Sequence, residues 1–216
     1  MITVLFLGNS LTYFGGIPEK FLAHSNAEGE SVRILKKTDG GYELRQHLAD
    51  LKSGGFDQLI SEADIVVMQE FGTAGHDTDR AVAEIQKLFK SGTRFYFIIT
   101  EFDIPERIEQ LAEVVNITLI PSGFAHNLIW EDGYEYSQLH MHKDYHPNAL
   151  YGYIAALAVF SVIFGKSCIR TRFDFLDAAT MAKVPGYSTE EKTRAVFKIQ
   201  EKVMEAVNTE TKEWRN

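Results

Sequence analysis

A serine hydroxyl becomes a nucleophile only when a base takes its proton. Ser10 stands in Gly8-Asn9-Ser10-Leu11-Thr12, directly after the apolar run Ile2 to Leu7. A glycine at that point lets the chain turn tightly, which would leave the serine exposed at the end of a strand. Position alone favours a helix cap or a loop hydroxyl for Ser10, so the nucleophilic reading depends on a base elsewhere. The candidate is His146, in Lys143-Asp144-Tyr145-His146-Pro147-Asn148. Pro147 suits the first position of a helix, which sets His146 on the loop leading into it. A neutral imidazole there could take the serine proton and pass it to a leaving group. Asp144 could orient that imidazole.

Other chemistry is weaker. His140, His142 and His146, with Asp144 among them, invite a metal reading, because His-x-His on a strand puts both rings on one face. The sequence offers no earlier Asp/His cluster to complete such a site, so no metal and no cofactor are expected. Tyr134, Tyr136, His140 and His142 are expected to flank a cleft or sit at an interface. His47 reads as a packing or surface residue. The segment Phe71-Gly72-Thr73-Ala74-Gly75-His76 is expected to form part of a substrate wall. A nucleotide or flavin binder is disfavoured, because the first strand–helix turn lacks a phosphate-cradling glycine pattern.

These residues need elements to hold them. Short apolar runs recur at Ile2–Leu7, Ser31–Leu35, Asp64–Met68, Arg94–Ile99 and Ile117–Ile120. Runs apolar on both faces suit strands of a covered parallel sheet. Helical patterns lie between them: after Pro18, over Tyr42–Leu51, over Thr78–Lys90 with Ala81, Ile85 and Leu88 on one face, and after Pro105. Ala149–Phe164 reads as a buried helix. A final helix opens at Ser188 and Glu191, at capping-box spacing, and continues with Val196, Ile199, Val203 and Val207. Alternation of strands and helices predicts an α/β protein with a parallel sheet and right-handed crossovers. No repeat or linker is apparent, so residues 1–216 are read as one domain. In such sheets ligands bind beyond the carboxyl ends of the strands, where Ser10 lies.

The chain has 216 residues, a formal charge of −8 and 45% hydrophobic residues, the composition of an ordinary globular protein. An acidic chain with no basic run does not suit a phosphate backbone, which argues against nucleic acid as a partner. The apolar stretch from Ala149 is interrupted by Tyr151, Gly152, Tyr153 and Ser161 and is short for a membrane span. Cys168 is the single cysteine, which fits a reducing compartment. The N-terminus reads as a strand, not a signal peptide. A cytoplasmic location is expected.

Gly8-Asn9-Ser10-Leu11-Thr12 resembles the first block of the SGNH (GDSL) hydrolase family, with Asn9 in place of the usual Asp. Gly40-Gly41-Tyr42-Glu43-Leu44 resembles the second block, Val66-Val67-Met68-Gln69-Glu70 lies at the third, and His146-Pro147-Asn148 with Gly152-Tyr153-Ile154-Ala155-Ala156 resembles the last. The resemblance implies a three-layer α/β/α sandwich, a flavodoxin-like parallel five-stranded sheet, and an esterase working through an acyl-enzyme on a small-molecule or carbohydrate ester. It implies Ser10 as nucleophile, His146 as base, and the Ser10 and Gly41 backbone N–H groups as oxyanion donors. Two departures stand out. The third block lacks the family's Gly-x-Asn-Asp, which leaves Gln69 as the substitute third donor. The acid, usually three residues before the histidine, is Asp144, two before it. The alternative reading is a degenerate member that binds a glycan or small ligand without turnover.

Overall fold

The computed structural model describes residues 1–70 and 76–213, and the side chains of 1–70 and 77–209. The elements run β1 (Ile2–Gly8), α1 (Ser10–Tyr13), α2 (Ile17–Ala27), β2 (Val32–Thr38), α3 (Leu44–Ser53), α4 (Asp57–Glu62), β3 (Ile65–Met68), α5 (His76–Gln86), β4 (Arg94–Ile98), α6 (Pro105–Val114), β5 (Thr118–Ile120), α7 (Ser122–Glu131), α8 (Tyr136–Leu139), α9 (Ala149–Phe164), α10 (Ala178–Lys183) and α11 (Thr189–Glu213). The sheet is five-stranded and all parallel, in the order β2-β1-β3-β4-β5. The reversal of strand order beside β1 opens a crevice at the carboxyl ends of β1 and β3, the place where doubly wound sheets bind ligands.

Side chains alternate faces along each strand, so each strand feeds two cores. Val4, Phe6, Ile65, Val67, Tyr96, Ile98 and Ile120 pack beneath α2, α7, α9 and α11. Leu5, Leu7, Val66, Met68, Phe97 and Leu119 pack against α3, α5 and α6 on the other side. The result is the expected three-layer α/β/α sandwich.

The helix α9 carries His146 at its entrance and is apolar all round. Such a helix belongs inside a protein, and thirteen of its residues are buried. Among the described residues no helix is long and apolar enough to cross a membrane. The start of α9 differs from the sequence expectation. Pro147 precedes the helix, and Asn148 is the N-cap, its side chain accepting from the Leu150 and Tyr151 N–H groups at 2.8 and 3.2 Å. An Asn oxygen satisfies the orphan donors of a first turn, so it outcompetes proline for the boundary. The C-terminal helix opens as expected: Ser188 N–H donates to the Glu191 carboxylate at 2.9 Å and Glu191 N–H to the Ser188 hydroxyl at 3.1 Å.

Candidate active site

Ser10 is the first residue of α1, directly beyond β1. Asn9 caps this short helix by accepting from the Leu11 N–H at 3.0 Å. Ser10 is therefore free of the capping role and turns its hydroxyl outward. From the other side of the chain, His146 Nε2 approaches Ser10 Oγ to 2.9 Å. His146 Nδ1 lies 2.8 Å from Asp144 Oδ1. An ionised carboxylate only accepts, so Nδ1 carries the proton and Nε2 presents a lone pair to the serine hydroxyl. That hydrogen bond holds the Asp144 carboxyl below its usual range. Phe14 and Tyr145 pack against the imidazole, each with ring centroids 4.5 Å away.

The structure brings Asp144 to His146 despite their spacing, and the reason is a turn. Lys143 has φ 59°, a left-handed conformation. Met141 N–H donates to the His146 carbonyl at 2.9 Å, and Asp144 N–H donates to the Met141 carbonyl at 3.2 Å. The loop thus folds back on itself instead of running extended. Asp144 also accepts from the His146 backbone N–H at 3.3 Å.

Ser10 and His146 are docked by a close approach of backbone to backbone. A Cβ on Gly152 would lie 1.8 Å from the Gly15 carbonyl oxygen. Only glycine at 152 allows the segment after Ser10 to seat against α9.

The second and third blocks surround the serine in an interlocked set. The Asn9 amide donates to the Tyr42 carbonyl at 3.1 Å. His47 is fully buried, and its Nε2 donates to the Gly8 carbonyl at 2.9 Å, tying α3 to the end of β1. The Glu70 carboxylate accepts from Leu44 N–H at 2.8 Å, at the first residue of α3, where the positive helix end favours an anion. Gly41 takes φ +71° in the exposed turn before α3, and neither its N–H nor that of Ser10 has an acceptor among the described residues.

Gln69 is placed differently from the expectation of an oxyanion donor. Its side-chain oxygen accepts from Asn9 N–H at 3.2 Å and from the Thr12 hydroxyl at 2.9 Å. Its amide nitrogen donates to the Glu70 carbonyl, and the residue is 1% exposed. Buried polar groups must find partners, and those of Gln69 lie inward. It braces the serine turn from behind.

The histidines of the 140–146 loop part company. His142 is exposed and, with Phe14, Met141, Pro147, Ala179 and Lys183, lines an open groove of about 320 Å³. His140, expected at the cleft margin, lines the same groove but is 1% exposed. It meets two residues from elsewhere in the chain: His126 Nε2 at 3.0 Å and Glu101 Oε1 at 3.5 Å. Burial pushes His126 down to about 4, lowers His140, and pushes Glu101 up to about 7. The sequence reading missed this trio, which shares no spacing. The segment 71–76 expected at the substrate wall lies outside the residues whose side chains are described.

No protein-family model matches the sequence, and no curated protein matches it. Solved structures do share its fold. A DUF4886 family protein from Bacteroides uniformis superposes with a TM-score of 0.69 at 16% identity, covering 91% of this chain and 93% of its own. The psychrotrophic esterase EstA from Pseudoalteromonas, in a structure inhibited by monoethylphosphonate, gives 0.56 at 16% identity over 76% and 98% of the two chains. A member of the lipolytic G-D-S-L family from Veillonella parvula gives 0.52 at 12% identity over 76% and 97%. The chain therefore has the α/β/α fold seen in the SGNH (GDSL) hydrolases.

Proposed function

We propose that this protein is a serine esterase that cleaves a short acyl group through an acyl-enzyme, with O-acetylated carbohydrate as the substrate class. The observation that carries the reading is the chain of contacts from Ser10 through His146 to Asp144, at 2.9 and 2.8 Å. In the first step Ser10 Oγ attacks the ester carbonyl and its proton passes to His146 Nε2. The tetrahedral intermediate collapses as His146 protonates the departing alcohol. Water then attacks the acyl-enzyme, again through His146, and releases the acid and the free serine. Asp144 keeps the imidazole in the tautomer that accepts and stabilises the imidazolium.

Charge develops on the carbonyl oxygen only in the transition state, and each preorganised donor is worth about 10²–10³ in rate. The Ser10 and Gly41 N–H groups fill that role. Gln69 acts by holding Asn9 and Thr12 in place. Phe14 and Tyr145, each 46% exposed beside His146, offer flat apolar faces suited to a sugar ring, and Phe14 also lines the groove bearing His142 and Lys183. The esterases of the same fold support the reaction class. The degenerate-binder alternative rests on the displaced acid and on the missing Gly-x-Asn-Asp; the Asp144–His146 contact at 2.8 Å speaks against the first ground, while the inward Gln69 leaves the second in place.

The test is hydrolysis of short-chain p-nitrophenyl esters and acetylated sugars by the purified protein. Turnover is expected, with Ser10→Ala lowering kcat by as much as about 10⁶. Ester turnover that survives Ser10→Ala undiminished, or no turnover of any ester, would sink the proposal.

A further inference from the structure

We propose that Glu101, His126 and His140 form a binding site for one divalent transition-metal ion of the zinc class, fastening the loop that carries Asp144 and His146. The hydrogen-bond partners of each ring point to it. His140 Nδ1 faces the Tyr145 carbonyl at 3.0 Å. A carbonyl only accepts, so Nδ1 holds the proton and Nε2 holds a lone pair. His126 Nδ1 faces the Asn127 side-chain oxygen at 3.0 Å, and the same logic leaves its Nε2 as a lone pair. These two lone pairs face each other across 3.0 Å. Glu101 adds a third: its Oε1 is buried without a hydrogen-bond partner, while its other oxygen is held by the Tyr151 hydroxyl.

With Glu101 ionised, three acceptors converge with no donor among them, a costly arrangement for a buried site. A cation removes the cost. The three ligand atoms lie within 4.8 Å of one another. Tetrahedral zinc with bonds near 2.0–2.1 Å spaces its ligands about 3.3 Å apart, and the separations of 3.0 and 3.5 Å bracket that value. Metal-bound histidines usually give their other ring N–H to a carbonyl, carboxylate or amide, as both rings do here. Two imidazoles and one carboxylate leave a fourth position for water. A cleft lined by Glu101, Asp103, Gly123 and Asn127 opens beside Glu101.

Such an ion would join the end of β4, α7 and the loop after α8. His140 is bonded to the Tyr145 carbonyl and pairs with Pro147 across an isolated bridge. The ion would therefore steady the turn that presents Asp144 to His146, without touching Ser10.

The experiment is titration of the untagged, chelator-treated protein with Zn²⁺ by calorimetry, with Co²⁺ absorption as a second readout. One equivalent is expected to bind, raise the melting temperature and give Co²⁺ a tetrahedral spectrum. Glu101→Gln and His126→Leu should abolish that binding, Asn127→Leu should weaken it about 10–100-fold, and His142→Ala should leave it intact. Failure of the native protein to bind Zn²⁺ stoichiometrically would overturn the proposal and leave the two histidines as a proton-sharing pair. Equal binding by Glu101→Gln and His126→Leu would overturn it as well, by placing the ion elsewhere.

Discussion

His146 holds its place because both of its nitrogens are engaged. Nδ1 is fixed by Asp144, and Nε2 is left to Ser10. Asparagine at 144 keeps the shape but no longer requires a proton on Nδ1, so the imidazole can adopt the wrong tautomer. Asp144→Asn is expected to lower kcat by up to about 10⁴ with KM little changed. A loss of only a few-fold in steady-state assays would reduce the machinery to Ser10 and His146. Much of this was legible in the sequence. Ser10 and His146 each lie in a contiguous block whose residues are neighbours both in sequence and in space. The contact with Asp144 was less so, because it depends on the left-handed turn at Lys143, a residue type that does not announce one. The inward orientation of Gln69 depends on Asn9 and Thr12, about sixty positions away. Glu101, His126 and His140 come from three separate elements and carry no motif.

The elements that position the site were largely visible as apolar runs. The apolar run of the second strand ends at Leu35, whereas β2 continues through Lys36 and Lys37 to Thr38. Among the described residues it is an edge strand paired only with β1, and lysines on an edge are compatible with pairing while discouraging further strands. The short helices α4, α8 and α10 escaped because one or two turns carry too little periodicity to detect. The helix α7 follows β5 at once, and Pro121 at its N-cap makes no side-chain capping bond, so it lacks a start signal. The seam between the Ser10 segment and α9 makes the sharpest prediction at this scale. Gly152→Ala forces Cβ against the Gly15 carbonyl, at a cost of about 1–3 kcal/mol for overpacking. A shift of about 1 Å between reacting groups can cost about 10²-fold in rate. Activity of the folded variant should therefore fall far more than its urea midpoint suggests. A variant as active as the parent would show that this contact does not set the Ser10–His146 distance.

Stability belongs to the whole molecule, and one buried histidine gives it a pH dependence. His24 sits between α2 and α9, with the ring edge-on to Phe160 and neither nitrogen hydrogen-bonded. Burial pushes its pKa down to about 4, against about 6.5 in an unfolded chain. Between those values the unfolded state binds the extra proton. The contribution of neutral His24 is therefore complete above about pH 6.5 and is lost as the pH falls towards about 4, amounting to about 3 kcal/mol. Urea unfolding at a series of pH values should show that His24→Leu is flatter than the parent in this window. Parallel profiles would mean that His24 is not buried in its neutral form. The same compact arrangement brings residue 10 together with residues 144 and 146, which lie far from it in the sequence, and the esterase account depends on that convergence. It is tested most directly by treating the protein with a fluorophosphonate and mapping the adduct by peptide mass spectrometry. The account predicts one phosphonyl group, on Ser10, formed slowly in His146→Ala and absent in Ser10→Ala. An unmodified Ser10, under conditions that fully label a known serine esterase, would contradict it.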